Sequence, residues 1–474
     1  MKQTSAFFVF WSLCSSALLG AAGFEMANVA VGSSLQTAAT FKLTEPAPDG
    51  GLEVTLTSED ASRLKLSRRP DTAGMASIVI TIQGGFSESP DFWIHGFASS
   101  GEVGYTAKGK DYSTSRGVVT LNPSAMVMVG PFKANRFRTT TGASPSRLVV
   151  YAARLTPAME FAEQQAVAGG VTLQLEVTNS SPEVGSLSPA MLSIPGGTPN
   201  AVTEFKPSKT GTANLAIKPP AGFSPAPAAY SAVVGVVTLP GIAITDQVMI
   251  GQNLQIGGNV GLGEFAGPNG AQVTLTSDDA TQLLISRSAT EVGAKSIVIN
   301  IPANGVSAQF YLQALGKAGT ATYTATAKGF ASRMAKIGLA PSGVVIAPAP
   351  YGPPDEAELF RKGQEGSRGF VSHLARKAKM SMAVWTAQLD PVTLRSADIT
   401  VQPLRAGMIL KVDIESSNPA VGSVGNSVVI KGGSEIGNTV FTPLSKGSTV
   451  ISAITPAGFT KSANSTSVEA IVKE

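Results

Sequence analysis

The chain has 474 residues, of which 36 are Lys or Arg and 32 Asp or Glu, while Gly and Pro together number 80. That is too few charges for ordinary disorder and too many turn-formers for long helices or coiled coils. One cysteine and two histidines exclude a disulfide scaffold and leave few ligands for zinc or haem, and a net charge of +4 over this length is no nucleic-acid footprint.

The N-terminus reads Met1-Lys2-Gln3, then an apolar run from Ala6 to Leu13, then small residues ending in Ala21-Ala22-Gly23. A basic start, a short apolar core and a small-residue exit predict a secretory signal over residues 1–23, cleaved after Ala22 or Gly23. A membrane anchor is the alternative, but the apolar stretch is short for a ~20-residue span. Leu13 just before Cys14 argues against a lipoprotein signal. The mature chain is then expected to lack cysteine, to carry no membrane span, and to work outside the cell or at its surface, with the periplasm as the other location.

Past the signal, the chain repeats itself. Gly51-Leu-Glu-Val-Thr-Leu-Thr-Ser-Glu-Asp-Ala-Ser-Arg-Leu-Lys-Leu-Ser-Arg68 returns at 270–287 with 11 of 18 positions identical, at a shift of 219. That shift holds from Val29/Val248 to Ile82/Ile301 and becomes 218 at Tyr105/Tyr323 and Pro123/Pro341. A different unit repeats between them: Val177-Thr-Asn-Ser-Ser-Pro-Glu-Val-Gly-Ser186 matches Ile414–Ser423 at a shift of 237, and Pro220-Ala-Gly-Phe223 returns as Pro456–Phe459 at 236. The order is A-B-A′-B′, and a period this long means repeated domains, since solenoid repeats run 20 to 50 residues. The expected segments are A over 24–123, B over 124–241, A′ over 242–341 and B′ over 342–474.

Inside the segments apolar residues alternate with period two. Val171-Thr-Leu-Gln-Leu-Glu-Val177 does so strictly, and Leu52–Thr57, Ser77–Ile82, Phe92–Phe97, Val103–Ala107, Val118–Leu121 and Thr212–Ile217 are similar runs. Gly, Pro, Asn and Ser clusters separate them every 8 to 12 residues, which predicts an antiparallel sandwich of about seven strands per segment. Two stretches break the rhythm, Pro131–Arg147 in B and 350–380 in B′; both are expected as long loops, with Phe370–Arg376 as one or two helical turns.

These residues carry a resemblance. The Val-Thr-Leu-Thr-Ser-x-Asp-Ala, Ser-Ile-Val-Ile and Leu-x-Pro-Ser elements of A and A′ resemble bacterial immunoglobulin-like repeats of secreted and cell-surface proteins, and B and B′, with Ser-x-Pro-x-Val-Gly-Ser and Pro-Ala-Gly-Phe, resemble another variety. The resemblance implies an all-β chain of four tandem immunoglobulin-like β-sandwiches after a signal peptide. It implies no single activity, because such sandwiches host adhesion, spacer and sugar-binding roles.

Chemistry is sparse. His95 lies in Asp91-Phe-Trp-Ile-His-Gly96 and its counterpart in A′ is Gln313, so it is expected as a surface strand histidine, not a general base. His373 has no Cys or second His nearby. Glu59-Asp60 and Asp278-Asp279 form repeated acidic pairs that fall short of the six to eight oxygens of a calcium shell and are expected to cap turns. No Gly-x-Ser-x-Gly elbow or phosphate loop occurs. Paired aromatics remain: Trp93 matches Tyr311, and Tyr151 matches Trp385. Matching placement in both copies is what a shared core would give, and these four are the ligand candidates, Trp93 and Trp385 first. No catalytic residue, metal or cofactor is expected, and the function expected is structural and adhesive, with cell-wall polysaccharide, matrix or neighbouring surface proteins as partners. A carbohydrate- or matrix-binding protein is the alternative, and an accessory part of an extracellular hydrolase the distant one.

Overall fold

The computed structural model describes residues 22–348, 357–362, 367–375, 379–397 and 400–474. Among these the chain is almost entirely strand, with single 3-10 turns at Pro131–Lys133 and Ala228–Tyr230 and no α-helix. Most of residues 1–23, expected as an export signal, lies outside the described residues, Cys14 included. No helix among the described residues is long and apolar enough to cross a membrane. The chain divides into two compact units, residues 1–238 and 239–474, so the break falls between B and A′.

In the first unit, segment A forms a five-stranded sheet in the order Val29–Gly32, Ser115–Asn122, Glu102–Gly109, Leu52–Ser58, Ser77–Ile82. A four-stranded sheet, ordered Ala166–Val167, Leu35–Ala39, Phe92–Gly96, Leu64–Ser67, covers it. Alternation decides which side chains meet: Leu52, Val54 and Leu56 point inward, and Phe92 from one sheet meets Tyr105 from the other with ring centroids 6.0 Å apart. Segment A′ repeats this arrangement, with Phe310 against Tyr323 at 5.9 Å. In both copies the first strand of the five-stranded sheet runs parallel to the last one of its segment, Val29–Gly32 beside Ser115–Asn122 and Val248–Gly251 beside Arg333–Ala340.

Segment B pairs Ser124–Val129, Ser146–Leu155, Asn200–Pro207 and Gly185–Ser188 in one sheet, with Phe161–Gln164 added beside Ser146–Leu155. The facing sheet runs Arg136–Thr140, Ala232–Thr238, Gly211–Lys218, Thr172–Asn179, Met191–Pro195. The glycine of each Val-Gly-Ser triplet is required by close approach. A Cβ on Gly185 would sit 2.3 Å from the Phe205 ring, and one on Gly422 would sit 2.1 Å from Phe441.

The two stretches expected as loops are corrected here. Arg136–Thr140 is an edge strand parallel to Ala232–Thr238, and Ser367–His373 is a strand parallel to Ser467–Lys473, paired on its other side with Ala357–Lys362. The helical turn expected from Phe370 is therefore strand up to His373; residues 376–378 lie outside the described set. Each strand is pinned by one aromatic, Phe137 stacking edge-on against Phe205 at 5.8 Å and Phe370 against Phe441 at 5.2 Å. Arg136 and Arg138 flank Phe137, which hides the strand in the sequence and discourages edge-to-edge pairing.

Candidate functional site

The most elaborate polar chemistry lies where A meets B inside each unit. In the first unit Gln36, buried in strand Leu35–Ala39, accepts from the Gly169 amide at 2.8 Å and donates to the Pro70 carbonyl at 2.8 Å. From the B side, Gln165 accepts from the Gly32 amide and donates to the Ala30 carbonyl, both at 2.9 Å. The second unit repeats both glutamines. Gln255 accepts from the Ala406 amide at 3.2 Å and donates to Ala289 at 2.7 Å, while Gln402 accepts from Gly251 and donates to Met249, both at 2.9 Å. Each amide pairs with a backbone donor and a backbone acceptor; Gln36, Gln165 and Gln255 are buried, and Gln402 is half-buried.

His95 belongs to this junction and is fully buried, which corrects the surface reading. Its strand neighbours in register are Gln36 on one side and Lys65 on the other. The Ser67 hydroxyl donates to the Arg69 carbonyl at 2.7 Å, so it accepts from Nε2 of His95 at 2.8 Å, and the neutral imidazole carries its proton on Nε2. Nδ1 has no partner. Burial, with Lys65 adding repulsion, holds the His95 pKa down to about 4. In the second unit Gln313 takes the same place and does more: the two hydrogens on Nε2 are shared among Gln255, Ser286 and the Glu291 carbonyl, and Oε1 accepts from the Gly293 amide at 2.9 Å. An imidazole enclosed on all sides has no route to a substrate.

The acidic pairs are turn locks. Asp60 accepts from the amide and hydroxyl of Ser62 at 3.0 and 2.5 Å, and Asp279 does the same with Thr281 at 2.8 and 2.6 Å. Those hydrogen bonds hold both carboxyls below the usual carboxylate range. Glu59 pairs with Arg116 at 2.7 Å, and Asp278 accepts from the Thr322 hydroxyl. Among the described residues no group of three or more His, Cys, Asp or Glu is placed to hold a metal ion. His373 ends its strand beside the Glu474 carbonyl, 3.4 Å from Nδ1.

The structure separates the four aromatic candidates. Trp93 and Tyr311 are half-buried on the outer faces of their four-stranded sheets, while their neighbours Phe92 and Phe310 fill the cores. Trp385 is half-buried beside Val345 and Ile436. Tyr151 lines a cavity, of about 710 Å³, on the outer face of the B sheet. Phe161 stands edge-on to Tyr151 with centroids 6.2 Å apart, and Tyr230 lies 5.3 Å from Phe161. Sequence reasoning missed Phe161 and Tyr230, and it missed the four junction glutamines.

No protein family and no curated protein matches the sequence. Among solved structures, the chain is similar to a tetra-tandem repeat in the extending region of a large adhesion protein, at 12% identity over 95% of this chain and 97% of that one, with a TM-score of 0.17. It is also similar to the polymeric Ig receptor ectodomain of a teleost fish, at 9% identity over 49% of this chain and 97% of that one, with a TM-score of 0.20. Likenesses this low attach neither protein's role to this chain.

Proposed function

We propose that this chain is a non-catalytic structural and adhesive protein, exported to the cell surface or beyond, whose four repeat segments are immunoglobulin-like sandwiches working as two A–B pairs. The observation that carries the reading is the duplicated junction. Gln36 with Gln165, and Gln255 with Gln402, tie the two segments of each unit through buried hydrogen bonds. Buried amides that satisfy main-chain groups on both sides favour one fixed arrangement over a hinge. The side chains that chemistry would need are spent on the fold: His95 is enclosed, and Asp60 and Asp279 lock turns.

The test is retention of the purified full chain on surfaces coated with polysaccharide or matrix protein, beside assays for glycoside, ester and peptide hydrolysis. Reversible retention without turnover is the expected result. Turnover that disappears in His95→Gln would overturn the reading. Carbohydrate or matrix binding stands as the second reading, favoured by the aromatic cavity at Tyr151.

A further inference from the structure

The cavity on the outer face of segment B lies against the strand Ser146–Leu155. Tyr151, Phe161 and Tyr230 form a continuous aromatic wall, Tyr151 edge-on to Phe161 at 84° and Tyr230 tilted at 42°. Its size, about 710 Å³, lies within the range of small-ligand sites. At its rim the turn Pro131–Lys133 holds Phe132 and Lys133 at φ of 58° and 62°, a left-handed conformation that disfavours side chains, and leaves the Phe132 ring fully in water. Among the described residues this is the one place where two consecutive non-glycine residues share that conformation, one of them an exposed aromatic.

The polar groups point to the ligand. Lys133 and Arg147 line the cavity together with the amides of Gln164 and Asn200, and no carboxylate lines it. Glu204 stands opposite Arg147 in the strand register but forms no ion pair with it among the described residues. Segment B from Ser124 to Thr238 carries eight Lys and Arg against five Glu and no Asp, whereas segment A from Phe24 to Pro123 carries eight Lys and Arg against eleven Asp and Glu. Burial, with Tyr230 beside it, pushes the Tyr151 phenol up, so it stays a neutral hydroxyl able to donate.

Segment B′ keeps only part of this aromatic set in its sequence. Trp385 is the counterpart of Tyr151, but no aromatic residue occurs between Trp385 and Phe441 or after Phe459, so the partners that Phe161 and Tyr230 supply in B have no equivalent. The core aromatics of B, Phe137 and Phe205, are retained in B′ as Phe370 and Phe441. The two copies therefore share the core pair and differ in sequence at the positions of Phe161 and Tyr230.

We propose that the groove binds an acidic saccharide, a chain of sugar rings bearing carboxylates, with ring faces against Tyr151, Phe161 and Tyr230, hydroxyls on Gln164 and Asn200, and a carboxylate held by Lys133 and Arg147. Sugar rings combine an apolar face with a rim of hydroxyls, which suits an aromatic wall edged by amides. Two cations without a competing carboxylate select the charged sugar over the neutral one through charge-assisted hydrogen bonds. The inference rests on the second reading above, that the chain binds carbohydrate.

Isothermal titration of the full chain with oligogalacturonate, and with neutral malto- and cello-oligosaccharides, tests it. Oligogalacturonate is expected to bind, the neutral sugars at least about tenfold more weakly, and salt to weaken the first selectively. Tyr230→Ala and the double variant Lys133→Ala/Arg147→Ala are each expected to cost about tenfold or more, the double variant also erasing the salt dependence. Trp385→Ala is expected to stay within about twofold of wild type. The exposed Lys133→Ala/Arg147→Ala pair keeps the test sound if an aromatic variant folds poorly. Absence of oligogalacturonate binding, equal binding of neutral sugars, or an equal loss in Trp385→Ala overturns the proposal, as does an apolar peptide that outcompetes the sugar. A chain that is retained on coated surfaces yet ignores oligogalacturonate loses this site and keeps its adhesive role.

Discussion

The two units solve one structural problem with different side chains at one position. At the A–B junction of the first unit stands His95, and at that of the second Gln313, each facing a serine on the neighbouring strand and a glutamine on the other. The glutamine uses both ends of its amide, whereas the imidazole leaves Nδ1 buried and unpartnered. A primary amide brings two N–H hydrogens and a carbonyl acceptor, whereas a neutral imidazole has one donor and one acceptor nitrogen, and here only Nε2 finds a partner. The frame tolerates the change because the remaining junction bonds, those of Gln36 and Gln165, do not depend on it. The first unit thereby gains a titratable group in its interior that the second lacks.

The largest expected effect comes from breaking the shared part of the comparison. Gln36→Leu strands the Gly169 amide and the Pro70 carbonyl, and Gln255→Leu strands the Ala406 amide, the Ala289 carbonyl and one bond of Gln313. Each is expected to destabilise its own unit by about 4 kcal/mol, from a buried amide and a half-buried carbonyl left unpaired. Urea unfolding followed by hydrogen exchange reads the two units separately.

Acid sharpens the difference between the units. The folded pKa of His95 lies near 4, below the ordinary value of 6.5, so the unfolded chain binds the extra proton first. The contribution of the neutral ring is complete above pH 6.5 and is lost as pH falls toward 4, by a total on the order of 3 kcal/mol. The first unit is expected to weaken over that window, and His95→Gln to remove this part of the slope. A profile unchanged by His95→Gln contradicts the buried neutral ring.

Next in size, Gly185→Ala and Gly422→Ala each drive a methyl into a phenylalanine ring, at 2.3 and 2.1 Å before relaxation. Both are expected to cost about 2 kcal/mol, and by similar amounts in the two units, in thermal or urea melts. Smallest of all, Asp60→Asn and Asp279→Asn are expected to lower the melting temperature slightly and alike, and millimolar calcium to shift neither. A calcium-dependent rise that Asp60→Asn abolishes would restore the metal reading of those turns.

Much of this architecture was legible in the sequence because duplication and period-two alternation are local signals. Val54, Leu56, Phe92 and Ile94 alternate and are buried where alternation puts them. His95 shows the limit of that rule. Alternation sets it on the face opposite Ile94, but it does not say that the 69–75 segment folds over that face, bringing Gly74 so close that a Cβ there would lie 3.3 Å from the ring. The junction glutamines did leave a trace, since Gln36/Gln255 and Gln165/Gln402 are identical pairs at the two repeat shifts. The edge strands did not, because Phe137 and Phe370 are single anchors among charges. Nor did the groove, whose wall joins Tyr151, Phe161 and Tyr230 across distant stretches of chain.

The central claim, that paired glutamines fix A to B in both units, is most directly tested at four amide hydrogens whose acceptors are glutamine side chains: Gly32 and Gly169 in the first unit, Gly251 and Ala406 in the second. Hydrogen exchange at neutral pH should find all four slow, with Gly169 becoming fast in Gln36→Leu while Gly251 and Ala406 stay protected. Exchange of the four at unprotected rates in the wild-type chain would contradict the account.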